Sequence, residues 1–282
     1  MKTVYFTDIK GFDLLFRGKV RDVYRYSDNS LFLVTTDRIS AFDIVFPTPI
    51  PHKGYILAKI TTFWFKKIKE EDILETHFIT DEIPDKAPKY LEGRSFIVRR
   101  ADVLPVECIV RFSLLGSAWR EYKEKGTVHG KSMPKEMVYG QDFEEPIFTP
   151  STKEKDGHDI NIDFESMKSM VGSRLAEEMK EKSILISKYA KEYLNKKGIK
   201  LLDTKLEFGK IGDNLVLIDE IFTPDSSRFW VGKNQDFYDK EYLRQYLLSL
   251  RWDRKQPAPM LPKKIVQELK NRYNVILQRL NG

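Results

Sequence analysis

Residues 201–211 alternate apolar and polar side chains with the period of a β-strand. Asp203, Lys205 and Glu207 fall on one face of that strand, and Thr204, Leu206 and Phe208 on the other. Gly212-Asp213-Asn214 is turn chemistry, and an apolar run returns over 215–221 until Pro224, which has no N–H for a ladder. A three-residue loop sets Ile211 opposite Leu215 and Glu207 opposite Asp219. Like charges directly opposite destabilise a purely structural hairpin. Two facing carboxylates beside Lys205 suit oxygen ligation of a hard cation such as Mg²⁺, with phosphate nearby. A hairpin with a solvated, charged outer face fits the same pattern.

Helical periodicity appears over 55–70, where Ile56, Leu57, Ile60, Phe63, Trp64 and Ile68 share a face. It recurs over 163–197, with a weak point at Gly172 and a stop at Gly198, and over 240–251. Pro262 opens a terminal helix carrying Ile265, Leu269, Tyr273, Ile276 and Leu280. Residues 17–37 read as a β-hairpin, and 95–100 and 107–113 as strands. Val103-Leu104-Pro105 is a proline-marked join between those two, suited to a hinge. Ser117 suits the N-cap of a helix over 118–125, and 132–159 reads as one long polar loop. Strands precede helices in blocks, which favours α+β over a doubly wound sheet.

With 282 residues, 41% hydrophobic and 32% charged, the chain has ample core for one large domain or two lobes. Single Cys108 excludes an internal disulfide, and the four scattered histidines match no zinc spacing. No apolar run is long enough for a membrane span, and the first residues lack a signal-peptide core, so a cytoplasmic protein with no membrane partner is expected. The net charge of +6 suits anionic ligands. Acids interleave with the bases and no RRM or KH signature is present, which argues against nucleic acid.

Two further stretches carry chemistry. Gly18 in RGKVRDVY allows close backbone approach, with Lys19 and Arg21 beside it. This is not a Walker A loop, yet a basic, glycine-marked flap covers phosphates in kinase-type sites; a plain surface hairpin is the alternative. Arg111 precedes Gly116-Ser117 at a helix start, where free N–H groups bind anions. TDRISAFD, at 36–43, sets Asp and Arg among apolar residues. Flap, anion site and carboxylate pair together are what ATP-dependent ligation of a carboxylate needs. A small-molecule kinase shares the flap and the metal pair but has no need of Arg111 and Ser117.

LLDTKLEFG and LPVECIVRFSLLGS resemble the two signature motifs of the phosphoribosylaminoimidazole-succinocarboxamide synthase (SAICAR synthetase) family. GKVRDVY, TDRISAFD, TPSTK with a following His-Asp, and DEIFTPDSSRFW stand in that family's order. Leu115 departs from the pattern, which usually has Thr or Ala there. The resemblance implies a two-lobed α+β fold related to ATP-grasp and kinase-like enzymes, with ATP in the cleft. It places a mainly β nucleotide-binding lobe at 1–105 and a lobe with the metal and substrate site at 106–282. The implied reaction joins L-aspartate to carboxyaminoimidazole ribonucleotide, giving the succinocarboxamide, ADP and phosphate in de novo purine synthesis.

By the same resemblance Gly18, Lys19 and Arg21 meet the ATP phosphates, residues 103–106 hold adenine and Glu107 lies near the ribose. Glu207 and Asp219 hold Mg²⁺, with Glu220 an alternative to Asp219. Arg111, Ser117, Asp203, Lys205, Asp225 and Arg228 surround the ribonucleotide, and Arg244 meets its 5′-phosphate. Lys153, His158 and Asp159 belong to a loop over the site. Lys205, Asp203 and Asp225 are the catalytic candidates, and the sequence does not choose between the two aspartates as the base.

Overall fold

The computed structural model describes residues 2–153, 160–232 and 234–282. Its first sheet is five-stranded and antiparallel, in the order β1-β2-β3-β7-β6. The strands are β1 (Leu14–Arg17), β2 (Arg21–Ser27), β3 (Ser30–Thr35), β6 (Phe78–Thr80) and β7 (Ser95–Arg99). A small hairpin, β4 (Ser40–Ala41) and β5 (Ile44–Val45), leads into α1 (Lys53–Glu70), which packs on β3 and β7. The apolar stripe of α1 is buried as its periodicity requires, with Ile60, Trp64, Phe65 and Ile68 fully covered.

The central sheet has the order β11-β8-β12-β14-β15, with β13 also on β12. Its strands are β8 (Asp102–Ser113), β11 (Asp142–Thr152), β12 (Ile199–Ile211), β13 (Asn214–Ile218), β14 (Ser227–Val231) and β15 (Asp236–Phe237). Between β8 and β11 lie α2 (Gly116–Lys125) and a hairpin of β9 (Thr127–Val128) and β10 (Lys131–Ser132). The helices α3 (Phe164–Val171) and α4 (Ser173–Lys196) pack on β8, β11 and, through α4, β12. They part at Gly172, whose φ of 88° and ψ of 146° are not helical. Helices α5 (Glu241–Ser249) and α6 (Lys263–Asn281) pack on each other, and α6 also on α1. Main-chain bonds from His77 to Leu217 (3.0 Å) and from Leu217 to Glu75 (2.9 Å) tie β13 to the segment entering β6.

Strand β12 runs through the middle of this sheet, and its partner changes along its length. Over Ile199 to Thr204 it pairs with β14, and from Glu207 to Ile211 with β13. The connection from 219 to 226 leaves the ladder opposite the gap, holding Lys205 N by the Ser226 carbonyl at 2.8 Å.

Four local expectations change. The hairpin loop has two residues, Gly212 (φ +61°) and Asp213, so Ile211 faces Asn214 and Glu207 faces Ile218. Glycine at the first position of a two-residue turn matches the right-handed twist of the strands without a third residue. Asp219 therefore stands beyond the strand, at φ 65°, and is not the cross-strand partner of Glu207. The Val103-Leu104-Pro105 join is part of β8: Glu207 pairs with Glu107 but Gly209 with Val103, so proline occupies a bulge, where its missing N–H costs no ladder bond. Within the expected 132–159 loop, Asp142–Thr152 is β11, the sheet's edge, where Pro146 falls in a register irregularity and Pro150 is tolerated. Ser117 lies inside α2, whose N-cap is Leu115 with no side-chain bond.

Candidate active site

Burial on one side of β12 determines what stands on the other. Leu206 and Phe208 are fully buried in the main apolar cluster, so Lys205 and Glu207 must emerge on the opposite face. There β8 sets Glu107 directly across from Glu207. Lys205 Nζ donates to Glu107 Oε1 at 2.6 Å and to Glu207 Oε1 at 2.5 Å, and Lys153 Nζ pairs with Glu207 Oε2. Burial alone raises the Glu207 pKa, but the nearby Lys205 and Lys153 charges outweigh it and hold the carboxyl well below its usual range. Lys205 is pushed the other way: burial favours the neutral amine, and Glu207, Glu107 and Asp219 reverse that and raise its pKa.

Arg21, on β2, crosses to this cluster and pairs with Asp219, with Nη1 also 3.6 Å from Glu220 Oε1. Burial and the adjacent Glu207 and Glu220 charges raise the Asp219 pKa, with Arg21 opposing. The glycine turn ahead of Arg21 is fixed from below. Gly18 N donates to the Arg21 carbonyl at 2.7 Å, while Arg38 Nη2 holds both the Gly18 carbonyl (2.9 Å) and Asp22 Oδ1 (2.7 Å). Arg38 Nε also reaches the Lys19 carbonyl at 3.2 Å. The Lys19 side chain is half exposed and pairs with Asp43.

A second group continues along the same face. Asp203 Oδ2 accepts from Arg228 Nη1 at 2.6 Å and Arg111 Nη1 at 3.4 Å. Arg111 further donates to Ser117 Oγ (3.1 Å) and Thr149 Oγ1 (3.0 Å). Glu241 Oε2 accepts from Arg228 Nε and Arg244 Nη1, both at 3.1 Å. Three guanidiniums thus alternate with two carboxylates, at the first turn of α2 where helix N–H groups favour anions. Glycine is favoured at Gly116: its φ is +59°, and a Cβ would lie 2.6 Å from Arg228 Nη2, so the guanidinium would have to give way.

Asp225 does not join either group. Its carboxylate is buried, 2.7 Å from Lys53 Nζ, 3.9 Å from Lys240 Nζ and 2.6 Å from the Tyr273 hydroxyl. Burial by itself raises its pKa, and Lys240 and Lys53 overcome this and depress it. The Lys240 amine is pushed down to about 8, by burial first. Sequence reasoning missed Lys53, Lys240, Tyr273, Glu241, Asp22 and Arg94, and it took TDRISAFD no further than a polar pair in an apolar string. Asp37 there receives Val4 N (2.7 Å) and Gly54 N (2.8 Å), beside Arg94. Charged residues embedded among apolar ones were the available signal, since such residues are almost never buried unpaired.

His158 and Asp159 lie outside the described residues. The departure at Leu115 is an apolar packing residue: its side chain is fully buried with Leu202, Trp230 and Phe237. Among the described residues no group of three His, Cys, Asp or Glu side chains forms a ready metal cage. Mg²⁺ is characteristically held by one or two carboxylates together with substrate phosphates. Glu207 and Asp219, oxygen donors balanced by exchangeable cationic side chains, fit that requirement.

Carboxylates countered by lysine, beside a row of arginines, suit an enzyme that handles phosphate and carboxylate groups. The SAICAR synthetase family model matches residues 14–259. The chain is 50% identical over 288 residues to a phosphoribosylaminoimidazole-succinocarboxamide synthase of Thermodesulfovibrio yellowstonii, covering 98% of each chain. It is 45% identical over 289 residues to the synthase of the same name from Geobacter sulfurreducens, covering 98% of this chain and 97% of the relative. Among solved structures, the Saccharomyces cerevisiae SAICAR synthase in complex with SAICAR superposes with a TM-score of 0.85 at 36% identity, covering 99% and 98% of the two chains. A SAICAR synthetase in complex with ADP superposes with a TM-score of 0.74 at 26% identity, covering 95% and 97%. The chain belongs to the SAICAR synthetase family.

Proposed function

We infer that this protein is the ATP-dependent ligase that joins L-aspartate to carboxyaminoimidazole ribonucleotide, giving SAICAR, ADP and phosphate in cytoplasmic purine synthesis. The observation that carries the reading is the spacing on β12. Asp203 organises the arginine row, and Lys205 and Glu207, two and four residues on, organise the carboxylate cluster. An anionic acceptor and a nucleotide phosphate are thereby brought together, which is the main requirement of phosphoryl transfer.

On this reading ATP occupies a cleft between a lobe of residues 1–105 and one of 106–282, its adenine against the β8 bulge and its ribose near Glu107. Gly18, Lys19 and Arg21 approach the phosphates. Glu207 and Asp219 hold Mg²⁺, which neutralises phosphate charge. Arg111, Ser117, Arg228 and Arg244 bind the ribonucleotide, and Asp203 orients two of those arginines. Lys205 stabilises the transferring phosphoryl group. Oxygen of the imidazole carboxylate attacks the γ-phosphorus, ADP departs, and the aspartate amine then displaces phosphate from the acyl phosphate. Lys153, paired with Glu207, stands at the carboxylate cluster where that intermediate must be kept from water. Asp225, paired with Lys53, supports the site from beneath.

ADP release tests this reading directly. Sustained release is expected with ATP, aspartate and the ribonucleotide together, and background release when either acceptor is omitted. Sustained release with aspartate omitted would overturn it.

A further inference from the structure

Residues 4–7 lie ahead of the stretch that the family model matches and form no helix or strand, yet they are tightly held. Val4 N donates to Asp37 Oδ2 and Asp37 N to the Val4 carbonyl, each at 2.7 Å. The Tyr5 hydroxyl donates to the Phe46 carbonyl at 2.8 Å, and Thr7 N and Oγ1 donate to Asp22 Oδ2 at 2.9 and 2.6 Å. Two arginines reach this segment. Arg17 Nη2 donates to the Thr7 carbonyl at 2.8 Å and Arg38 Nη1 to the Tyr5 carbonyl at 2.5 Å. Both guanidiniums lie over the ring of Phe6, 5.1 and 5.3 Å from its centroid, while that ring stays 61% exposed.

The same two arginines bracket the glycine flap. Arg17 immediately precedes Gly18, and buried Arg38 also holds the Gly18 and Lys19 carbonyls and Asp22 Oδ1. A trans peptide sets each carbonyl opposite the N–H of the next residue. Carbonyls drawn to Arg38 therefore turn the N–H groups of Lys19 and Val20 away from it, and neither donates to a partner among the described residues. Arg21 and Asp22 are successive on β2, so Arg21 leaves the face opposite the one that Asp22 shares with Arg38, and there it meets Asp219. Successive free backbone N–H groups make an anion-binding concavity.

We propose that Arg38, seated on the N-terminal segment, is a positioning residue for nucleotide binding: it turns the flap amides outward, where they donate to the terminal phosphates of ATP. The terminal phosphates are the fitting ligand because Arg21, beside those amides, reaches the carboxylate assigned to Mg²⁺. Phe6 completes the brace by stacking on both guanidiniums, so the first residues of the chain contribute to phosphate binding without touching the nucleotide.

The role rests on the ligase reading only in taking ATP as the nucleotide, and binding measured without turnover keeps the two apart. Arg38→Lys keeps the charge but loses the planar fork, and should weaken calorimetric binding of Mg-ATP, with no other substrate present, by about tenfold. Phe6→Ala removes an exposed ring, and should weaken the same binding about threefold with the melting temperature within a few degrees of wild type. AMP lacks the terminal phosphates, so its binding, read by competition with ATP, should stay within about twofold of wild type in both variants. Should Arg38→Lys fail to fold, the contrast between ATP and AMP in Phe6→Ala decides. Equal weakening of ATP and AMP is the mark of a merely structural brace and would overturn the proposal, as would an unchanged ATP constant in Phe6→Ala. Selective loss of ATP binding in the variants, when the wild-type protein itself releases no ADP, would uphold the brace and overturn the ligase reading.

Discussion

Glu107 and Glu207 face each other across β8 and β12, and Lys205 Nζ bridges them at 2.6 and 2.5 Å. Like charges directly opposite are destabilising in a sheet, so the pair depends on the amine between them. Lys205→Met keeps an unbranched side chain one atom shorter and removes the charge. It should reduce kcat by at least about a hundredfold, the usual scale for losing one preorganised electrostatic group. It should also lower the melting temperature, because two buried carboxylates then oppose each other without the amine that bridges them. Full activity in the methionine variant would remove Lys205 from phosphoryl transfer.

Asp219 gives a sharper test of the metal reading than alanine scanning alone. Its φ of 65° lies in the left-handed region, which asparagine adopts more readily than most residues. Asp219→Asn should therefore preserve the fold, with a melting temperature within a few degrees of wild type. Its turnover should fall by about a hundredfold or more and its requirement for Mg²⁺ should rise. Glu207→Ala should lose turnover as well. Full wild-type activity in chelator would remove the cation from the mechanism altogether.

His77 predicts the acid limb of stability. Its side chain is buried, and Nε2 meets no partner among the described residues. Burial first, and then the Arg21 and Arg99 charges, lower its pKa to about 3, against 6.5 for an ordinary histidine. Between those values the unfolded chain binds more protons than the folded one, so stability falls as pH drops from about 6.5 towards 3. Above 6.5 the contribution is fully present. Urea titrations should show a shallower loss over that window in His77→Gln than in wild type. Identical slopes would mean that other groups set the acid limb.

The parts of this architecture governed by local chemistry were legible in the sequence. Gly172 and Pro262 punctuate helices because backbone geometry demands it. Asp203, Lys205 and Glu207 could be read to one face because Leu206 and Phe208 needed burial. What depended on pairing across distance was not legible. One residue in a turn decides whether Glu207 meets Asp219 or Ile218, and nothing in GDN distinguishes the two. Strand β11 was hidden by Pro146 and Pro150, which count against a strand unless it is known to be an edge. The Lys53–Asp225 pair joins α1 to the far end of the chain, and only the folded backbone brings the two together.

Gly116 links the backbone to the arginine row and so tests both. Its φ of +59° is strained for any residue with a side chain, and a Cβ would stand 2.6 Å from Arg228 Nη2 and 2.7 Å from Nη1. Backbone strain of this kind costs on the order of 1 kcal/mol or more, a few degrees in melting temperature for a chain of this size. The guanidinium must also move, which lengthens its 2.6 Å bond to Asp203, the carboxylate it shares with Arg111. Gly116→Ala should therefore raise the KM for the ribonucleotide by about tenfold or more while leaving the KM for ATP nearly unchanged. Arg111→Lys, which keeps the charge but loses the planar fork, should move the same two constants in the same direction. If Gly116→Ala loses stability while both KM values hold, Arg228 is a structural strut and the arginine row does not bind the ribonucleotide. If the two KM values rise together, the row serves both substrates, and the division of β12 into an acceptor half and a nucleotide half is wrong.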